Sequence, residues 1–243
     1  MALAMAFLFP VSRLIKSIVQ EKEIRMKQTL FILGVKPWAH WLSWITFNIL
    51  FFTIIACLVT LLLSSQIAQN SNKFILFCFI ITFALTIMSF SFFVASFFSR
   101  AKLASILGPL LFFGTLLPRY IFLGTRQEES LNEKVWASLA PCTAFAFGAE
   151  LLADLEYAEL GIQWWNIRNG GYDVAMSFNM MFIDIIVYTF LAWYLEQVVP
   201  SQYGVSKKFY FILSPSYWKS VFGYDVFIED EDEGMIDDKL HEM

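Results

Sequence analysis

Long apolar runs separated by short polar ones set the pattern of this chain. Residues 42–63, 74–98, 103–123 and 177–195 each approach or exceed the ~20 residues that carry a helix across the hydrocarbon layer of a bilayer. The interruptions are turn chemistry or charge: a polar loop over 64–73 and a tight basic turn, Ser99-Arg100-Ala101-Lys102. One interruption differs in kind. From Gln20 to Leu30 the chain carries a dense run of mixed charge, and Ile15, Val19, Met26, Leu30 and Leu33 recur through and around it at helical spacing. That spacing predicts an amphipathic helix lying at the membrane surface.

Residues 1–11 are apolar and end at Arg13 and Lys16, the reverse of a signal peptide's charge order. They read as the last part of a spanning helix whose start lies elsewhere, so the chain reads as a fragment. Gly34-Val35-Lys36-Pro37 then breaks the surface helix. Trp38, Trp41 and Trp44, with His40, make an interfacial belt at the start of the next span. Gly108-Pro109 and Pro118 predict a bent third full span, whose freed backbone groups need partners from neighbouring helices.

The stretch 136–153 decides the topology. It is short, contains Pro141 and Gly148, and is flanked by acids. If it dips in and returns, eleven Lys and Arg residues lie on one side and five on the other; if it crosses, the split is eight to eight. The positive-inside rule selects the first arrangement, a re-entrant helical hairpin on the outer face.

Composition supports this architecture. Of 243 residues 58% are hydrophobic and 16% charged, and phenylalanine occurs 27 times, which excludes an ordinary soluble domain. The net charge of −4 is uneven: the last fifteen residues hold eight acids against Lys239, leaving the remainder at about +3. That acidic segment reads as a solvated linker. Cys57, Cys78 and Cys142 lie in apolar runs and read as packing residues.

Candidate chemistry is sparse. There is no phosphate-binding glycine loop, nucleophile elbow or zinc-protease motif, and the two histidines, His40 and His241, are far apart. No catalytic, cofactor-binding or metal-ligating residue is assigned. Asp184, inside the last span, is the one intramembrane acid, where a carboxylate is costly unless paired or protonated. It reads as a pathway residue or as a structural acid, with Arg119 as a candidate partner. Thr82, Thr86, Ser89, Ser91 and Ser96 read as small hydroxyls that let helices approach. Phe83, Phe90, Phe92, Phe93, Phe97 and Phe98 read as a lipid-facing coat. Glu21, Lys22, Glu23, Arg25 and Lys27 suit either anionic headgroups or a docking protein.

The order Ile15-Lys16-Ser17-Ile18-Val19-Gln20-Glu21-Lys22-Glu23, then Arg25-Met26-Lys27, Gly34 and Trp41-Leu42-Ser43-Trp44, resembles the membrane domain of subfamily A ATP-binding-cassette (ABC) transporters. Phe98-Ser99-Arg100-Ala101-Lys102-Leu103-Ala104, Gly161-Ile162-Gln163-Trp164-Trp165-Asn166, Trp193-Tyr194-Leu195-Glu196, Pro200-Ser201-Gln202-Tyr203-Gly204 and Ser216-Tyr217-Trp218 follow in the same order. The resemblance implies an all-α polytopic fold, part of one type V ABC transporter membrane domain with paired exoplasmic helices. The implied divisions are a truncated spanning helix (1–14), a cytoplasmic coupling segment (15–37), three spans (38–123), the exoplasmic hairpin region (124–173), a last span (174–197) and an acidic linker (198–243). It also implies lipid or a lipid-like amphiphile as substrate, and as partners a nucleotide-binding domain and a second membrane half of the same transporter. ATP and magnesium would belong to that domain; none is expected in this chain, and nothing points to nucleic acid. The competing reading is a channel, scramblase-like or receptor membrane domain that works without nucleotide.

Overall fold

The computed structural model describes residues 2–122, 131–168 and 171–198. The acidic linker and the motifs after Val198 lie outside them, as do the side chains of Lys27 and Trp38.

Two short helical pieces open the chain, α1 (Ala2–Ala6) and α2 (Leu8–Glu23). They part at Phe7, where Pro10 is the physical reason: its ring crowds the carbonyl four residues back and it has no N–H to give. Together they are long and apolar enough to span a membrane, from Leu3 to Glu23. The helix continues through residues 14 and 15 without a break. Ile15 and Val19, expected at a membrane surface, are instead fully buried inside the bundle. The break comes at Arg25, which adopts a left-handed backbone (φ 58°), and α3 (Met26–Ile32) follows. Gly34 (φ 88°) ends α3 as its sequence predicts, with the Val35 amide reaching back to the Leu30 carbonyl at 3.0 Å.

Helix α4 (Pro37–Gln66) starts with proline in its first turn, and α5 (Lys73–Ser96) starts with the Asn72 side chain accepting from the Phe74 amide. The predicted bend in the next span falls between α6 (Ala101–Gly114) and α7 (Leu117–Ile121), just before Pro118. Neighbours satisfy the freed backbone. Pro109 orphans the Ser105 carbonyl, which accepts a long 3.4 Å bond from Ser12 Oγ on α2. At the bend, Thr143 Oγ donates to the Thr115 carbonyl at 2.6 Å and Cys142 Sγ lies 3.8 Å from the Phe112 carbonyl.

Thr143 and Cys142 come from the stretch between spans, which forms α8 (Leu131–Ala137) and α9 (Pro141–Tyr157). The Phe145 ring stacks on Phe83 with centroids 3.8 Å apart. Phe83 lies ten residues into α5, about 15 Å along the helix from Lys73. At its far end α9 returns toward the α4–α5 loop: Glu156 accepts from the Asn70 amide and the Ser71 hydroxyl, and Ser71 Oγ accepts from the Ile162 amide. Helix α10 (Val174–Val198) completes the bundle. Among the described residues five helical segments are long and apolar enough to cross a membrane, and the protein is an integral, multi-pass membrane protein.

Helix α5 is the centre, packing chiefly on α10, α4 and α2. Three of the five hydroxyls read as packing groups bridge to α10, while Thr82 and Ser91 bond back within α5. Thr86 Oγ lies 3.2 Å from the Met181 carbonyl, Thr189 Oγ is 3.1 Å from Ser89 Oγ, and Ser96 Oγ is 3.5 Å from the Ala192 carbonyl. The phenylalanine coat divides. Phe97 is exposed, but Phe83 and Phe90 are buried core residues, Phe90 packing against the Phe112 and Tyr188 rings.

Candidate functional site

At the basic end of the bundle the ends of the spans meet in one polar node. Helix α5 ends near Ala95, and its last carbonyls carry the negative end of the helix dipole. Lys22, on the last turn of α2, donates from Nζ to the Ala95 carbonyl at 3.1 Å. After the tight turn, α6 begins at Ala101 with no cap from its own N-cap residue, Arg100. Glu23 supplies the missing acceptor: its carboxylate takes the Ala101 amide at 3.0 Å. Adjacent residues of opposite charge thus hold adjacent helix ends of opposite polarity.

The other helices join the same place. Glu21 lies 3.8 Å from His40 Nε2 on α4. A small cleft beside this contact is lined by Lys22, Trp41, Phe92 and Glu196, bringing α2, α4, α5 and α10 together. Arg25 and the backbone of Lys27 follow on the outside of the node, beside exposed apolar residues Ile24, Met26, Ile32 and Leu33. Of the five charges singled out from the sequence, Glu21, Lys22 and Glu23 are therefore engaged with other spans of this chain. His40 was assigned only to the tryptophan belt; its spacing gave no sign of Glu21.

The two intramembrane candidates are not partners of each other. Arg119, on α7, is buried and pairs with Glu150 of α9, and its guanidinium lies 5.2 Å from the centre of the Phe147 ring. Glu150, which would sit deep if α9 crossed the membrane, is exposed and locks the bent span onto α9. Asp184 is 1% exposed, and neither carboxylate oxygen has a hydrogen-bond partner among the described residues. Around it α10 is fastened by the hydroxyls above and by Tyr188, whose hydroxyl donates to the Leu139 carbonyl at 2.7 Å. Near the opposite end Tyr172 shares a 2.7 Å bond with Ser138, and burial pushes its hydroxyl up to about 12, so it stays protonated at physiological pH. Among the described residues no cluster of acids, histidines and cysteines has a metal-binding arrangement.

Among the described residues this arrangement offers fixed helix ends, polar contacts between spans and an apolar exterior. The family model described as ABC-2 family transporter protein matches residues 1–194. The bovine retinal-specific phospholipid-transporting ATPase ABCA4 is 36% identical over 222 residues, covering 89% of this chain and 10% of that protein. Human phospholipid-transporting ATPase ABCA3 is 32% identical over 228 residues (89% of this chain, 13% of that protein), and the mouse glucosylceramide transporter ABCA12 is 30% identical over 227 (91% and 9%). The chain thus spans about a tenth of the length of these relatives. A helical bundle with five membrane-capable segments, matched over residues 1–194, places this chain in the ABC-2 transporter membrane family, among subfamily A relatives.

Proposed function

We propose that this chain is the membrane-domain part of an ATP-driven transporter that moves lipids or lipid-like amphiphiles across or between leaflets. ATP, with magnesium, is hydrolysed by a nucleotide-binding domain outside these residues, and a second membrane half completes the translocation path. The observation that carries this reading is the node. Glu21, Lys22 and Glu23 on one helical turn contact α4, the end of α5 and the start of α6. A push delivered beside that turn reaches three other spans at once. The exposed apolar side chains of α3 give a nucleotide-binding domain a surface to push on. At the other end α8 and α9 form the re-entrant hairpin that the charge distribution favours, since α9 begins level with the middle of α5 and returns to the α4–α5 loop.

The test uses the full-length protein in lipid vesicles, comparing wild type with the double variant Glu21→Lys, Glu23→Lys. Lipid moved per ATP hydrolysed is expected to fall about 5- to 150-fold, the range of typical inter-site coupling, with membrane insertion intact. Unchanged coupling in the variant would overturn the role of the node. Lipid or ion flux that is the same with and without ATP would replace the reading by a channel or scramblase-like one.

A further inference from the structure

Helices α2 and α4 diverge beside the node and leave a cleft of about 420 Å³. Its walls are two helical stripes: Arg13, Leu14 and Ser17 from α2, and Trp44, Phe47 and Phe51 from α4. The volume lies within the range of small-molecule pockets. The apolar wall stays open to the surroundings, with Phe47 68% exposed. No residue lining the cleft is acidic, and Arg13 is its one charged group. Among the described residues nothing pairs with the Arg13 guanidinium. The nearest acid along the helix faces, Glu21, lies against His40.

An unpaired guanidinium in an apolar span is costly, and it persists where it reaches an anion or the interface. The depth fits an anion of the bilayer. Trp44 lies seven residues into α4, about 10 Å from its start, in the tryptophan belt that marks the headgroup level. A phosphate diester accepts two parallel N–H bonds from a guanidinium, with Ser17 available as a further donor. An acyl chain would then lie along Phe47 and Phe51. A choline or ethanolamine headgroup would bring a cation into a cleft with no acid to receive it. We propose that this cleft is a binding site for one anionic phospholipid of the adjoining leaflet, its phosphate on Arg13 and one acyl chain along the α4 aromatic face. Retention of a lipid here needs no nucleotide, so the site stands or falls separately from the transport reading.

The full-length protein is reconstituted in nanodiscs holding equal phosphatidylcholine and phosphatidylglycerol, and lipids retained after extraction are counted by native mass spectrometry. Wild type is expected to retain one phosphatidylglycerol in preference to phosphatidylcholine. Arg13→Gln should lose that preference, with apparent affinity falling roughly 5- to 100-fold, the effect of one charge-assisted contact. Arg13→Lys, which keeps the charge but not the paired N–H bonds, should keep part of it, and Phe47→Trp, which narrows the cleft, should lower retention of both lipids. Equal retention of the two lipids by wild type, or a preference unchanged in Arg13→Gln, overturns the proposal. No retained lipid together with cross-links from the cleft to another helix overturns it in favour of a protein occupant.

Discussion

At Gly148 α9 lies close against α5 and α10, and its replacement tests the seat of the hairpin. A methyl group there would lie 2.5 Å from Ser177 Oγ on α10 and 2.7 Å from the Phe79 ring on α5. Neither neighbour can yield cheaply. Phe79 is 3% exposed and held by a stacked Phe145 at 5.1 Å and an edge-on Phe178 at 5.4 Å. Ser177 is fully buried, and its hydroxyl donates to the Ala144 carbonyl at 2.6 Å. Overpacking of this kind costs about 1–3 kcal/mol. Breaking the serine bond adds roughly 0.5–1.5 kcal/mol, and the better helix propensity of alanine returns about 0.5–1 kcal/mol. Gly148→Ala should therefore destabilise by about 1–3 kcal/mol.

Gly114, at the end of α6, supplies the internal control, because a methyl there meets nothing within 4 Å. Gly114→Ala should be neutral or stabilise by up to about 1 kcal/mol. Unfolding in mixed detergent–dodecyl sulfate micelles, followed by tryptophan fluorescence, reads both variants on one scale. Opposite signs are expected. A Gly148→Ala protein as stable as wild type would refute the packing of α9 between α5 and α10.

Two further outcomes follow from the buried charges. Glu150→Ala leaves Arg119 buried without its partner and should destabilise by about 1–3 kcal/mol in the same assay, more than Arg119→Met, which removes the charge and keeps the packing; the reverse order would count against an ion pair as the fastening. Asp184→Asn keeps the side-chain shape without a carboxylate that has no partner among the described residues, and should be at least as stable as wild type at neutral pH, whereas Asp184→Ala should cost about 1–3 kcal/mol; a loss of that size in the asparagine variant would mean that Asp184 is charged and paired.

The spans were legible because a bilayer demands long apolar runs, and the bent span because two prolines remove donors at known places. The Gly34 break was legible for the same kind of local reason. What faces what was not. In a soluble helix the apolar stripe marks the core; in a membrane the core and the lipid are both apolar, so Phe83 in the centre of the bundle reads like Phe97 on its surface. Arg119 and Asp184 looked like a pair because both are intramembrane charges. Glu150, the actual partner of Arg119, looked like the acidic flank of a loop segment. The end of α2 was hidden because Arg25 takes a left-handed conformation with no glycine or asparagine to announce it.

The charged turn shows how a pattern can mark a segment and leave its contacts unread. Alternating acids and bases on a helix face suit a surface or a partner protein, and nothing in the order Glu-Lys-Glu says which helix ends they will meet. Lys22 and Glu23 take the end of α5 and the start of α6, whose dipoles want opposite charges a short turn apart. Those two contacts are therefore strongest when α2 and the α5–α6 turn keep their present spacing, and both weaken together if it changes. Outward at this end stand the apolar Ile24, Met26, Ile32 and Leu33, with exposed Arg25, Lys36, Arg100 and Lys102 beside them. In the proposed function, a protein docking there would act on α3, joined to α2 through Arg25, and a displacement of the end of α2 would be carried by the same turn to two further spans.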